Sequence, residues 1–260
     1  MLIEVGLLVV SGLFAGVLAG LLGIGGGTVL VPMLVTLGYT TQQAIATSSL
    51  AIIITSLSGS MQNWRMGYLD TKQVFMLGLP AVLVAQAGVW LADTLPSAVL
   101  LVSFAALLAL NIYLVGLRKK LAIQAIAETK PSLPMNPTAA RVLTGSLAGF
   151  LAGLLGVGGG VIMVPLQMLL LGEPIKRAIQ TSLGVIVLTA IAATGGHALR
   201  GNVVWLAGLI LGFGGLISAQ FSTRILPKLS DRTVSFLFRA LLVLLIVYTL
   251  FKAWQAAIAT

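Results

Sequence analysis

Apolar runs of helical length, separated by short polar stretches, fill most of this chain. They cover residues 3–22, 29–37, 44–61, 72–92 and 97–117, then 142–155, 161–171, 178–193, 203–221 and 233–251. About 20 apolar residues cross a bilayer as a helix, and the runs show no strand-like alternation. The pattern predicts an all-α polytopic membrane protein. Two runs, 29–37 and 161–171, are the shortest, about half of what a crossing needs, and each follows a dense group of glycines.

The glycine groups belong to a repeat. Residues 19–34, AGLLGIGGGTVLVPML, return at 152–166 as AGLLGVGGGVIMVPL. Gly20, Gly23, Gly25, Gly26 and Gly27 recur as Gly153, Gly156, Gly158, Gly159 and Gly160. The match continues at a slightly longer offset, with Thr47-Ser48 against Thr181-Ser182, Gly67 against Gly201 and Gln86 against Gln220. Asn63 then stands opposite His197. The chain therefore divides into an N-terminal transmembrane repeat (1–117), a basic cytoplasmic linker (118–141) and a C-terminal transmembrane repeat (142–260). A glycine costs ~1 kcal/mol against alanine inside a helix, so Gly25–Gly27 and Gly158–Gly160 predict broken helices that restart before Pro32 and Pro165.

Composition narrows the class. Hydrophobic residues make up 58% and charged residues 8%, against about 25% charged in soluble domains. The length of 260 residues leaves room for roughly eight to ten passes and no separate soluble domain. The net charge of +9 comes from Lys and Arg in short loops, a positive-inside pattern rather than a nucleic-acid footprint. No signal-peptide pattern opens the chain, since Glu4 replaces a basic start.

The same charges order the two repeats. If each half opens with a hairpin whose tip is the glycine break, each makes an odd number of crossings and the second half is inverted. Arg65, Lys72, Arg118, Lys119, Lys120, Lys130, Arg141, Lys176, Arg177, Arg224, Lys228 and Arg232 then share one side, with Arg200 and Lys252 opposite. Parallel halves distribute the charges far more evenly. The positive-inside rule favours inverted repeats, three spanning helices after each hairpin, both termini outside and the linker in the cytoplasm.

GLFAGVLAGLLGIGGGTVLVPML, its second copy, the Ala-x-x-Thr-Ser that follows, and His197-x-x-x-Gly201 together resemble the TauE/SafE sulfite-exporter family. The resemblance spans both repeats. It implies an integral transporter in the cell (cytoplasmic or inner) membrane for sulfur-containing anions such as sulfite, sulfoacetate and other sulfonates. The Asn63–His197 pair breaks the symmetry, so a mechanism needing a titratable group at both positions does not apply.

The residues themselves point to an anion site. A helix restarting at Thr28 or at Val161 offers free N–H groups and a positive dipole end at membrane depth, which suits a small oxyanion without a buried Lys or Arg. Gly25, Gly26, Gly27 and Thr28, with Gly158, Gly159 and Gly160, are thus the expected substrate-binding residues, with close helix packing as the plainer reading. Gly12, Gly16 and Gly20 fit packing better. Thr47, Ser48, Thr181 and Ser182 either donate to the anion or bond back to carbonyls. Gln86 and Gln220 either bind ligand or tie helices together. His197, the only histidine, is the candidate for proton coupling, placed near a helix end. Asn63, Trp64 and Arg65 are expected at the membrane–water boundary.

Several chemistries drop out. The chain lacks cysteine and has one histidine and six acidic residues, so neither a metal site nor a cofactor is expected. The glycine stretch lacks the lysine of a P-loop and the last glycine of a dinucleotide motif, and no enzyme is expected. The expectation is a transporter of a small anion by alternating access. Alternatives are a gated anion channel, or a permease taking up another small organic anion with H+ or Na+. Export of an anion runs down the membrane potential at ~2.3 kcal/mol per charge per 100 mV, whereas uptake needs that coupling. The partners are the anion and the lipid bilayer. The Gly/Ala ridges fit contacts within one chain or between chains.

Overall fold

A computed structural model describes residues 2–125 and 136–258. The described residues form α1 (Leu2–Leu22), α2 (Gly27–Thr36), α3 (Thr41–Arg65), α4 (Thr71–Thr94), α5 (Ser97–Ala125), α6 (Pro137–Leu155), α7 (Gly160–Leu170), α8 (Ile175–Ala198), α9 (Trp205–Ile225), a 3-10 turn (Leu226–Lys228) and α10 (Asp231–Ile258). No strand occurs among them. Among the described residues, six helices are long and apolar enough to cross a membrane: α1, α3, α4, α6, α8 and α9, the last with its 3-10 turn. Their outer faces carry bare apolar side chains such as Leu83, Phe213 and Phe221, with Trp64 and Trp205 exposed near helix ends. A bilayer accommodates such a surface and water does not.

Local signals explain where the helices begin. Thr40 and Gln43 form a capping box at the start of α3, and Asp70 caps α4, each satisfying N–H groups that a helix start leaves unpaired. Asn136 caps α6, with Pro137 in its first turn. The helices outrun the apolar runs. Both ends of the expected linker are helical, with α5 reaching Ala125 and α6 starting at Pro137; residues 126–135 lie outside the described residues. Apolarity marks the span, whereas caps and turn residues mark the helix.

The two parts of the repeat exchange helices. α9 packs along α1 and α3, and α4 packs along α6 and α8. Small residues permit it: a Cβ on Gly12, Gly16 or Gly20 would run into the backbone oxygens of Leu211, Gly215 and Ala219 in turn. A Cβ on Gly145, Gly149 or Gly153 would strike those of Leu77, Ala81 and Ala85. The packing expected of Gly12, Gly16 and Gly20 is therefore present. Both registers rise together, so α1 lies parallel to α9 and α6 parallel to α4. Helices approaching this closely gain dispersion contacts that larger residues would forbid.

The chain doubles back after each break. A Cβ on Gly26 would lie 2.8 Å from the carbonyl oxygen of Ala15, and one on Gly159 would strike that of Ala148. Tyr39, after α2, reaches Glu4 at the start of α1 (3.4 Å). Polar contacts tie helix ends together at both poles of the molecule. At one, Arg177 pairs with Asp70 (3.5 Å), Lys176 with Asp231 (3.5 Å), and Arg224 donates to Gln62 (3.1 Å). At the other, Arg200 pairs with Asp93 (3.6 Å) and Gln42 donates to Leu95 (3.3 Å). The first pole, where α4, α6 and α8 begin, is called the linker pole below; the second is the terminal pole.

Candidate functional site

The two glycine breaks cross in the interior. Gly26 and Gly159 are the residues before α2 and α7, with φ of 81° and 78°, a left-handed geometry that side chains oppose. Each break then needs the bare backbone of the other. A Cβ on Gly27 would run into the carbonyl oxygen of Gly156, and one on Gly160 into that of Gly23. Ile24 and Val157, between the glycines, are fully buried. Ile52 of α3 and Ile186 of α8 close over the crossing, each within 3.2 Å of a Cβ built on Gly25 or Gly158.

Hydroxyls hold this crossing together, reciprocally. Ser48 donates to the carbonyl of Gly156 (2.8 Å) and Ser182 to that of Gly23 (2.8 Å). Thr55 donates to Gly25 (3.3 Å) and Thr189 to Gly158 (3.0 Å). All four side chains are buried. Four carbonyls at the breaks, those of Gly23, Gly25, Gly156 and Gly158, are therefore satisfied. The N–H groups of Gly26, Gly27 and Thr28, and of Gly159, Gly160 and Val161, find no backbone acceptor among the described residues. Thr28, fully buried beside them, also has an unpartnered hydroxyl.

The remaining predicted residues divide. Thr47 accepts from the N–H of Val204 (3.0 Å), which fixes the start of α9. Thr181, its equivalent, is fully buried with an unpartnered hydroxyl. Gln86 lies on an exposed face and donates to Ala192 (2.7 Å), tying α4 to α8. Gln220 is half-buried on α9. His197 does lie in the last turn of α8, yet it is buried, with Nε2 3.0 Å from the carbonyl oxygen of Gly153 and Nδ1 unpartnered. Asn63, expected at the boundary, is fully buried instead, while Trp64 next to it is exposed. One helical step of 100° separates inside from outside, and polarity along the chain does not resolve it.

Sequence reasoning missed Thr55 and Thr189. They lie two turns beyond Ser48 and Ser182 on the same faces of α3 and α8, and their repetition at the same offset was the available signal. Among the described residues no group of three or more His, Cys, Asp or Glu could hold a metal. Ser58 donates to the carbonyl of Leu216 (2.7 Å), tying α3 to α9.

A multi-pass protein with crossed, broken helices and a repeat of this kind belongs to the class of membrane transporters. The family model for Sulfite exporter TauE/SafE matches residues 8–249, and this chain is a member of that family. It is 31% identical over 258 residues to the probable membrane transporter protein YunE of Bacillus subtilis, covering 92% of this chain and 94% of the relative. It is 27% identical over 252 residues to the probable membrane transporter protein MJ0441 of Methanocaldococcus jannaschii, covering 91% of each chain. No solved structure matches. The family is one of membrane transporters, not enzymes.

Proposed function

We propose that the protein moves a small anion, sulfite or an organosulfur anion, across the cytoplasmic membrane by alternating access at the crossed glycine breaks. One observation carries the anion reading. At the breaks the carbonyls of Gly23, Gly25, Gly156 and Gly158 are already taken by Ser182, Thr55, Ser48 and Thr189, while the adjacent N–H groups of Gly26, Gly27, Thr28, Gly159, Gly160 and Val161 have no well-aligned backbone acceptor among the described residues. Such a crossing repels cations and receives oxyanions, which accept from N–H groups at positive helix ends. Gly25, Gly26, Gly27 and Thr28 line one side of the ligand, and Gly158, Gly159 and Gly160 the other. Ser48 and Ser182 clamp the two tips, Thr47 and Gln86 hold neighbouring helices, and Gln220 stands in reserve on α9. His197, as the only histidine, is the group we assign to any proton coupling.

In this reading the halves are inverted repeats with both termini outside and the linker in the cytoplasm. The doubling back at Gly26 and Gly159 and the parallel registers of α1 with α9 and α6 with α4 support it. So does the concentration of Lys and Arg at the linker pole. An anion leaves the negative interior without further coupling.

Thermal unfolding of purified protein with sulfite, sulfoacetate, taurine, sulfate, thiosulfate and chloride tests the reading. A ligand at about a hundred times its Kd stabilises the native state by ~2.7 kcal/mol. Sulfite or a sulfonate should raise the midpoint selectively, and Thr28→Val should weaken that rise without unfolding the protein. No response from any of these anions in folded protein overturns the proposed cargo.

A further inference from the structure

A second polar row lies on α3, beyond the crossing. Ser56, Ser60 and Asn63 follow at helical spacing on one side of α3, and Thr223 of α9 lies against the same stretch, at Gly59. A Cβ on Gly59 would lie 3.2 Å from the Thr223 hydroxyl oxygen, and one on Gly20 would lie 2.7 Å from it. All four are buried: Ser56, Asn63 and Thr223 at 0% exposure and Ser60 at 7%. None of their side-chain polar atoms has a partner, and for Asn63 this holds for both Oδ1 and Nδ2.

Helix habit does not explain this. Ser48, Ser49, Thr55 and Ser58 on the same helix all donate to carbonyls, as Ser and Thr in membrane helices usually do. Leaving a buried donor or acceptor unpaired costs ~1–3 kcal/mol, so groups of this kind normally mark bound water or ligand. The row has a beginning and an end. It starts beside Thr55, which holds the Gly25 carbonyl. It ends at Asn63, whose backbone carbonyl accepts from Tyr68 (2.9 Å). Tyr68, with Asp70, Lys176 and Arg177, lines a cavity of about 600 Å³ at the linker pole.

The equivalent positions on α8 carry Ala190, Thr194 and His197. Thr194 and Nδ1 of His197 also lack partners, and this shorter row runs toward the terminal pole.

We propose that Ser56, Ser60, Asn63 and Thr223 form a water-holding half-pathway joining the linker-pole cavity to the glycine crossing, with Thr194 and His197 as its counterpart on the other side. The row offers hydroxyl and amide donors without a formal charge, so a small anion is passed along and not trapped. This rests on the transporter reading above, and its test does not depend on the cargo.

The chain contains no cysteine, so single substitutions report cleanly. Ser60→Cys and Thr223→Cys are to be labelled with an anionic, membrane-impermeant methanethiosulfonate applied to one vesicle face at a time. Ser49→Cys, buried and bonded to Ile45, is the reference. Thiol reactivity follows access, so both variants should label at least about tenfold faster than Ser49→Cys, from the linker face only. Thr194→Cys should label from the opposite face. Rates no faster than the reference in both folded variants, or labelling from the wrong face, overturn the proposal. Labelling without any anion-induced stabilisation keeps the pathway and removes the cargo; stabilisation without labelling does the reverse.

Discussion

The hydroxyl of Ser182 donates to the carbonyl of Gly23 across 2.8 Å and 159 positions of sequence. Ser48 repeats the relation with Gly156. Each part of the repeat thereby satisfies the broken backbone of the other, which a bilayer interior would otherwise leave bare.

Replacing Ser182 with alanine removes the donor and leaves a buried carbonyl. The expected loss is ~1–3 kcal/mol. Ser48→Ala should lose a similar amount, because both hydroxyls also share a local carbonyl three residues back (2.9 Å each). Thermal unfolding in detergent measures both. A loss at one position only would break the equivalence of the two tips.

Glycine substitutions should separate the breaks from ordinary helix. Gly159→Ala forces a side chain into a φ of 78°, at ~1–2 kcal/mol, and drives its Cβ into the Ala148 carbonyl oxygen. Gly26→Ala meets the same two penalties at Ala15. Folded yield and transport should both fall. Gly195→Ala, inside α8 with nothing within 4 Å of its Cβ, should be neutral or stabilising by up to ~1 kcal/mol. Yield and melting temperature of the three variants check this.

The sequence revealed what glycine density and apolar length encode: the repeat, the two breaks and the membrane class. It also flagged Ser48 and Ser182, but as donors to a ligand, because nothing in one dimension says which carbonyl a hydroxyl will meet. The exchange of α9 and α4 between the parts follows from the matching of Gly12, Gly16 and Gly20 to Leu211, Gly215 and Ala219, a fit between surfaces that composition does not carry. Asn63 escaped for the same reason. Its neighbours Trp64 and Arg65 read as boundary residues, while its own direction on α3 points inward.

Ile52 and Ile186 should behave as one unit. A Cβ built on Gly25 or Gly158 would lie within 3.2 Å of both, and they share one apolar cluster with Ala190. Each Ile→Ala change opens a cavity costing ~2–5 kcal/mol. Because the cavities adjoin, the double variant should depart from the sum of the singles by at least ~0.5 kcal/mol. A double-mutant cycle by thermal unfolding measures this, and strict additivity would mean that the two side chains do not close one crossing.

Membrane orientation follows from where the charges settle. Lys176, Arg177 and Arg224 meet Asp231, Asp70 and Gln62 at the linker pole. At the terminal pole Arg200 lies 3.6 Å from Asp93, which offsets its charge. Lysine and arginine near helix ends resist translocation, whereas acidic residues contribute little to orientation. A reporter active only in the cytoplasm should therefore be active when inserted within residues 126–135 and silent when fused after Thr260. A reporter active only outside should give the opposite pair. Cytoplasmic activity from the carboxyl-terminal fusion would make the number of net crossings in the second part even, and the repeats would then run parallel.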